Sequence, residues 1–226
     1  MIRQMDNVVG ERAVPALSRL LRRRAAVKRR RARLKGIGVE DQAAVFFGRW
    51  LRAPHRIGAI APSSRFLARA MATQVDLRRP GPVIELGGGT GSVTKALLEA
   101  GLPVDRLIVV ERDVRLYKML RRRFPQLRIV LGDARQLIEL LRPLGVDAVS
   151  AVISSLPLVA MSKAVRRQIV DQSFALLGEA GRFVQYTYSL SSPLAGREFG
   201  LRGRVAARVW LNVPPASVWS YRLALA

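Results

Sequence analysis

From Pro80 onward the apolar positions gather into short unbroken runs separated by longer amphipathic stretches. The runs Val83–Leu86, Leu107–Val110, Arg128–Val130, Ala148–Ile153 and Gly181–Thr187 predict five strands. The stretches between them predict helices over Ser92–Ala100, Val114–Arg123, Arg135–Leu141 and Lys163–Leu176. Strands that are apolar throughout, rather than at every second residue, are buried on both faces. Their alternation with helices predicts an α/β fold with a parallel, doubly wound sheet. The last two runs, Arg204–Leu211 and Ser217–Ala224, have only Asn212-Val213-Pro214-Pro215-Ala216 between them. That gap is too short for a crossover helix, so an antiparallel hairpin is expected at the end of the sheet.

Before Pro80 the periodicity is helical. Val14, Leu17, Leu21 and Ala25 form an apolar stripe within Glu11–Lys35, surrounded by Arg22-Arg23-Arg24 and Arg29-Arg30-Arg31, and Gly36-Ile37-Gly38 is a natural stop. A second helical stretch, Glu40–Leu51, carries Phe46, Phe47 and Trp50. After Pro62, Ser63 or Ser64 can cap a third helix reaching Val75, with Phe66, Leu67, Ala70 and Met71 inward.

Composition narrows the chemistry. The 226 residues are half apolar, enough for a sizeable core, and contain no cysteine and one histidine, His55. Disulfides, thiolate metal sites, a cysteine nucleophile and a multi-histidine metal site are thereby excluded, and no metal is expected. The net charge of +23 suits a polyanionic partner, either nucleic acid or an anionic membrane. Residues 1–35 concentrate that charge, with 12 Lys/Arg against two acids. No apolar run approaches the roughly 20 residues of a spanning helix, and the first thirty residues lack a signal-peptide core. An intracellular chain is the expectation.

The most informative segment is Glu85-Leu86-Gly87-Gly88-Gly89-Thr90-Gly91, where an apolar strand enters a glycine-rich turn that opens a helix. Glycines allow a tight turn and let a ligand lie against bare main chain. Glu111 ends the next strand, about twenty residues on, where an acid can accept ribose hydroxyl protons. These residues resemble the first motif of the class I S-adenosylmethionine-dependent methyltransferases. The resemblance implies a Rossmann-like, seven-stranded, mostly parallel sheet with an antiparallel last strand, and S-adenosylmethionine as cofactor. It implies that Glu85 meets the amino end of the methionine moiety through water. The cofactor would lie along Gly87, Gly89, Thr90 and Gly91, with its ribose on Glu111. Gly132-Asp133-Ala134 resembles the segment whose Asp binds the adenine amine and whose backbone binds the ring. Gly88 stands where the family often has proline, which would loosen the loop.

Acceptor chemistry in this fold follows the fourth strand, here Ser154-Ser155-Leu156-Pro157. A planar base nitrogen requires an amide to hydrogen-bond it and an aromatic ring to stack on it. Ser and Leu158 stand at those positions, which argues against base methylation. Gly58-Ala59-Ile60-Ala61-Pro62-Ser63-Ser64 and Ser154–Pro157 resemble instead the bacterial phospholipid N-methyltransferases, which convert phosphatidylethanolamine to phosphatidylcholine. Ile60, Ser63 and Ser64 then belong to the lipid site, and Arg56 and Arg65 flank it as phosphate partners. Ser154, Ser155, Tyr186 and Tyr188 are candidates to accept a proton from the amine or to orient it; His55 is a further, weaker candidate base.

Three parts are expected. Residues 1–35 form a basic amphipathic membrane-binding helix, 36–79 form helices covering the active site, and 80–226 form the cofactor-binding core. The partners expected are an anionic membrane surface and phosphatidylethanolamine, with no obligate nucleic acid. The location expected is peripheral, on the inner face of the cytoplasmic membrane. Two other readings remain open: an RNA adenine methyltransferase and a non-catalytic lipid-binding module.

Overall fold

Seven strands form one sheet in the order β3-β2-β1-β4-β5-β7-β6 in the computed structural model, which describes residues 62–189 and 191–224. The strands are β1 Val83–Leu86, β2 Leu107–Glu111, β3 Arg128–Leu131, β4 Ala151–Ser154, β5 Arg182–Thr187, β6 Leu201–Val209 and β7 Ala216–Leu223. The helices are α1 Pro62–Ala72, α2 Ser92–Glu99, α3 Val114–Arg123, α4 Leu137–Leu141, α5 Lys163–Leu177 and the single turn α6 Gly196–Phe199. The first five strands are parallel, and β7 alone runs against the rest, pairing antiparallel with both β5 and β6. The seven-stranded, mostly parallel sheet expected from the sequence is therefore present. The helices expected over Glu11–Lys35 and Glu40–Leu51, together with His55, Arg56 and Ile60, lie outside the described residues.

Every residue of β1, β2 and β4 is buried, which is why those strands read as unbroken apolar runs. Alternate side chains feed two cores. Val83, Leu107, Val109, Ile153 and Val184 meet α1, α2 and Leu120 of α3 on one face. Ile84, Ile108, Val152 and Phe183 meet Leu137 and Leu141 of α4 and Ile169 and Phe174 of α5 on the other. The chain leaves β1 toward β2 and β3, then returns to place β4 on the opposite side of β1. At that reversal the loops leaving β1 and β4 part in opposite directions, opening a crevice at the carboxyl ends of the strands.

Several boundaries differ from expectation. Helix α1 begins at Pro62, so Ser63 and Ser64 lie within its first turn rather than capping it. Leu67 and Met71 face the core as expected, but Phe66 is 41 % exposed and Ala68 takes the buried place. Strand β4 starts at Ala151, because Val149 and Ser150 donate their N–H groups to Leu176 and Pro82 instead of the ladder. The helix expected at Arg135 is split: Ala134–Gln136 forms a 3-10 turn capped by Asp133, and α4 follows. Strand β6 stops at Val209, leaving Trp210 and Leu211 beyond the sheet. There the Asn212 N–H bonds back to Val209, and Pro214 and Pro215 have no donors to extend the ladder.

Candidate functional site

The glycine loop leaves β1 at the crevice. The Gly87 N–H donates to Val110 O across to β2 at 2.8 Å, and Gly87, Gly89 and Gly91 all have positive φ. Gly89 is the open step of the turn: a Cβ there would meet only Gly87 O, at 3.9 Å, so that face of the main chain is free. Gly91, at φ 81, is the N-cap of α2, and a Cβ on it would stand 2.5 Å from the Phe124 ring. Gly88 is not a loosening substitution. A Cβ there would fall 2.5 Å from Val109 Cγ1 and 2.8 Å from Leu120 Cδ1, so its bare backbone seats the loop on β2 and α3. The Thr90 carbonyl accepts from Arg123 Nη1 at 2.7 Å.

Three acids surround this loop. Glu85, in mid-strand on β1, is fully buried. Its Oε2 accepts the Thr94 hydroxyl at 2.6 Å, and its Oε1 has no partner among the described residues. Burial pushes its carboxyl up to about 8. A buried carboxyl oxygen without a donor, beside an open glycine loop, fits an ammonium or a bridging water. Glu111, at the end of β2, is fixed by main chain: Oε2 accepts from Gly89 N at 2.9 Å and Oε1 from Asp113 N at 2.8 Å. A carboxylate can accept about four hydrogen bonds, so two remain for a vicinal diol.

Asp133 is more heavily engaged. Its Oδ1 accepts from Arg135 N and Nε, and its Oδ2 from Arg135 Nη2 at 2.8 Å and Arg112 Nη1 at 3.4 Å. The Arg135 hydrogen bond is the chief reason its carboxyl falls to about 2. An adenine amine would have to replace the longest of these bonds, that from Arg112. Ala134, next to it, is buried under the core that includes Leu137.

The ends of β4 and β5 form the other wall. Register pairs Ser154 with Leu86 on one side and with Gln185 on the other. Ser154 is fully buried, and its Oγ accepts from Leu156 N at 3.4 Å. The Ser155 N–H donates to Leu86 O, and its buried Oγ has no partner among the described residues. Tyr186 and Tyr188 meet edge to face with ring centroids 5.5 Å apart, and pack on the same apolar cluster as Leu67 and Met71 of α1. Burial raises both hydroxyls above the usual phenol range, so each remains a phenol at neutral pH. They can therefore accept a hydrogen bond and offer ring faces, but are poor bases. Arg65, in the first turn of α1, is exposed.

Sequence reasoning passed over four partners. Thr94 holds Glu85, and Arg135 and Arg112 hold Asp133. Gln185, 2 % exposed, donates from Nε2 to Leu156 O and Tyr186 O, and its Oε1 has no partner among the described residues. A glutamine inside an apolar strand, Phe183-Val184-Gln185-Tyr186, was the available signal. No group of His, Asp and Glu able to hold a metal ion occurs among the described residues.

No family model matches the chain. It is 32 % identical over 146 residues to the ornithine lipid N-methyltransferase of Singulisphaera acidiphila, covering 63 % of this chain and 76 % of that one. A match of 32 % over 83 residues to the ribosomal RNA small subunit methyltransferase A of Maridesulfovibrio salexigens covers 37 % of this chain and only 31 % of that relative. Among solved structures, a glycopeptide N-methyltransferase complexed with S-adenosylmethionine superposes with a TM-score of 0.53 at 16 % identity, over 73 % of this chain and 96 % of the other. That likeness is one of fold.

Proposed function

This chain belongs to the class I S-adenosylmethionine-dependent methyltransferases, in one family with the Singulisphaera lipid enzyme, and from that premise we propose that it methylates the terminal amine of a membrane lipid. Kinship to a lipid N-methyltransferase over three quarters of that relative's length carries the reading. Two head groups fit it. Phosphatidylethanolamine is suggested by the Gly58–Ser64 and Ser154–Pro157 segments, and an ornithine-headed lipid by the relative's name. Both offer a primary alkylamine on an acyl-chain anchor.

Glu85, the Gly87–Gly91 loop, Glu111 and the Asp133-Ala134 turn are the residues that would hold S-adenosylmethionine, which supplies a methyl group on a sulfonium. The remaining task falls to the chain at the acceptor. An alkylammonium has no lone pair and must lose a proton before it can attack. Entry into a partly apolar site favours the neutral amine, because desolvation disfavours the ammonium, and its proton is left to bulk water as the head group enters. The Ser155 hydroxyl and the phenols of Tyr186 and Tyr188 can then orient it by hydrogen bonding. The two rings also offer π-faces to the methylated cation.

RNA methylation is the second reading, supported by the charge of +23 and the partial ribosomal RNA relative. Ser154-Ser155-Leu156-Pro157 supplies neither the amide nor the ring that a base amine needs, which favours lipid. The lipid reading puts the enzyme on the inner face of the cytoplasmic membrane, drawn to anionic lipid by residues 1–35. The test is incubation with methyl-labelled S-adenosylmethionine, vesicles containing phosphatidylethanolamine or an ornithine-headed lipid, and RNA. Label in either lipid supports the proposal; label in RNA alone overturns it. Label in neither, with vesicle binding intact, indicates a binding module.

A further inference from the structure

The tip of the β6–β7 hairpin carries the three most exposed large apolar side chains among the described residues. Trp210 and Leu211 are each 68 % exposed and Val213 is 82 % exposed. Three such residues within four positions are a contiguous apolar knob, unlike the scattered exposed apolar groups of an ordinary surface. The knob is firmly built. Between its apolar members Asn212 is buried, donating from Nδ2 to Pro214 O at 2.6 Å.

Its position follows from strand direction. Thr187, the last residue of β5, pairs with Ser217 near the start of β7, and Val209, the last of β6, pairs with Ala216. The tip therefore projects from the carboxyl edge of the parallel strands. That edge also bears the glycine loop, Glu111, Ser155 and the two tyrosines. A direct link exists as well, because the Tyr188 hydroxyl hydrogen-bonds to the side chain of Asn212. Exposed cations stand on the same edge, Arg208 next to the hairpin tip and Arg115 at the start of α3.

We infer that the hairpin tip is a membrane wedge: Trp210, Leu211 and Val213 enter the interfacial layer of an anionic bilayer and hold the carboxyl edge of the sheet against the head groups. Trp has a particular preference for the head-group level, and adjacent cations add attraction to anionic lipid. A protein partner would be met by the same apolar surface, but the net charge of +23 favours an anionic bilayer. The inference rests on the lipid-acceptor reading, since a wedge on this edge brings lipid amines to Tyr188 and Ser155. It assigns a second contact besides residues 1–35, one that sets orientation as well as recruitment.

The experiment uses the full chain and vesicles of anionic lipid mixed with phosphatidylethanolamine. Tryptophan emission of the wild-type protein and of Trp210→Phe is compared in vesicles carrying brominated acyl chains. The difference isolates Trp210, and quenching of that difference signal is expected. Replacing Trp210, Leu211 and Val213 together by Ser should lower vesicle affinity on the order of thirtyfold while S-adenosylmethionine affinity stays unchanged. Methylation of vesicle lipid should fall in proportion, and methylation of a short-chain lipid below its micelle concentration should be retained. Unquenched Trp210 in vesicle-bound protein overturns the inference. So does a triple variant that binds vesicles like wild type, or one whose sole change is a smaller oligomer by light scattering. If wild type methylates neither vesicular nor short-chain lipid yet Trp210 is quenched, the lipid-amine reading fails and the wedge stands.

Discussion

The two halves of the crevice solve different problems. On the cofactor side, almost every polar group is already satisfied by the chain itself. Both oxygens of Glu111 are held by main-chain donors, Asp133 is saturated by two arginines, and Glu85 leaves a single oxygen unmatched. On the acceptor side, the Ser155 hydroxyl and the Gln185 carbonyl oxygen are buried without partners among the described residues. A group prefixed in place binds an invariant ligand without reorganisation, whereas unmatched groups wait for one that brings the complement. On the proposed function, recognition of the cofactor is built into β1 to β3 and acceptor identity lies at the ends of β4 and β5.

The sharpest way to break this contrast is at Gly89. Gly89→Val would place a branched side chain at a positive φ on the open face of the loop, and should lower S-adenosylmethionine affinity by more than about a hundredfold. Titration calorimetry measures it, and circular dichroism should show the fold retained. Unchanged affinity would remove the loop from the cofactor site.

Glu85 gives the next largest effect, and one with a pH signature. With its carboxyl at about 8, the ligand-free protein carries it protonated at neutral pH. A cationic ligand amine favours the ionised form, so affinity should rise between about pH 6 and 8, approaching tenfold per unit well below the pKa. Glu85→Gln should bind more weakly at pH 8 and flatten that rise. The same linkage acts on stability. A folded-state pKa raised above 4.5 means that the contribution is full below pH 4.5 and is lost as pH rises through about 8. Thermal denaturation of Glu85→Gln should therefore show less loss over that window.

Gln185→Leu tests the acceptor half. One Nε2 hydrogen bond ties the β4 loop to β5 at Leu156 O and the other goes to Tyr186 O on β5 itself, and removing them should cost about 1–2 kcal/mol of stability. Activity toward the lipid amine should fall several-fold with S-adenosylmethionine affinity unchanged. A loss of cofactor affinity instead would erase the division between the halves.

The smallest effect is expected at Asp133. Because its carboxylate is already filled by Arg135 and Arg112, Asp133→Asn should weaken cofactor binding only a few-fold, by about 1 kcal/mol. Its carboxyl at about 2 means that its contribution to stability is present above pH 3.8 and disappears only as pH falls through 2. The acid limb of a stability–pH profile should shift in the variant, and the neutral range should not.

What could be read from residues alone follows the same division. The strand Val83–Leu86 and its glycine turn are local: composition, period and spacing lie within a dozen residues, and the structure reproduces them. Glu85 was visible as the acid before the glycine turn and Glu111 as an acid at a strand end, but their restraints were not. Thr94 reaches Glu85 only because the α2 turn folds back over β1, and Gly89 reaches Glu111 across a strand pairing. The acceptor wall was less legible still. Gln185 is one polar residue in an apolar strand, and its role depends on Leu156, twenty-nine positions away. The apolar pair Trp210-Leu211 read as a continuation of β6. Its exposure is decided by Asn212 and two prolines that end the ladder, a contest between strand propensity and missing donors that periodicity does not register.

The place of β7 in the sheet bears on how the protein is made. Because β7 lies between β5 and β6, β5 has only β4 beside it and β6 has no neighbour while the ribosome is still translating the hairpin. Until residues 216–223 have left the exit tunnel, β5 presents an open edge and β6 has no ladder to join. The nascent chain thus carries an unfinished, apolar sheet until one late strand inserts between two waiting ones. A translational stall shortly before residue 216 should make the nascent chain far more dependent on chaperones than a stall on a C-terminal linker long enough to hold β7 clear of the exit tunnel.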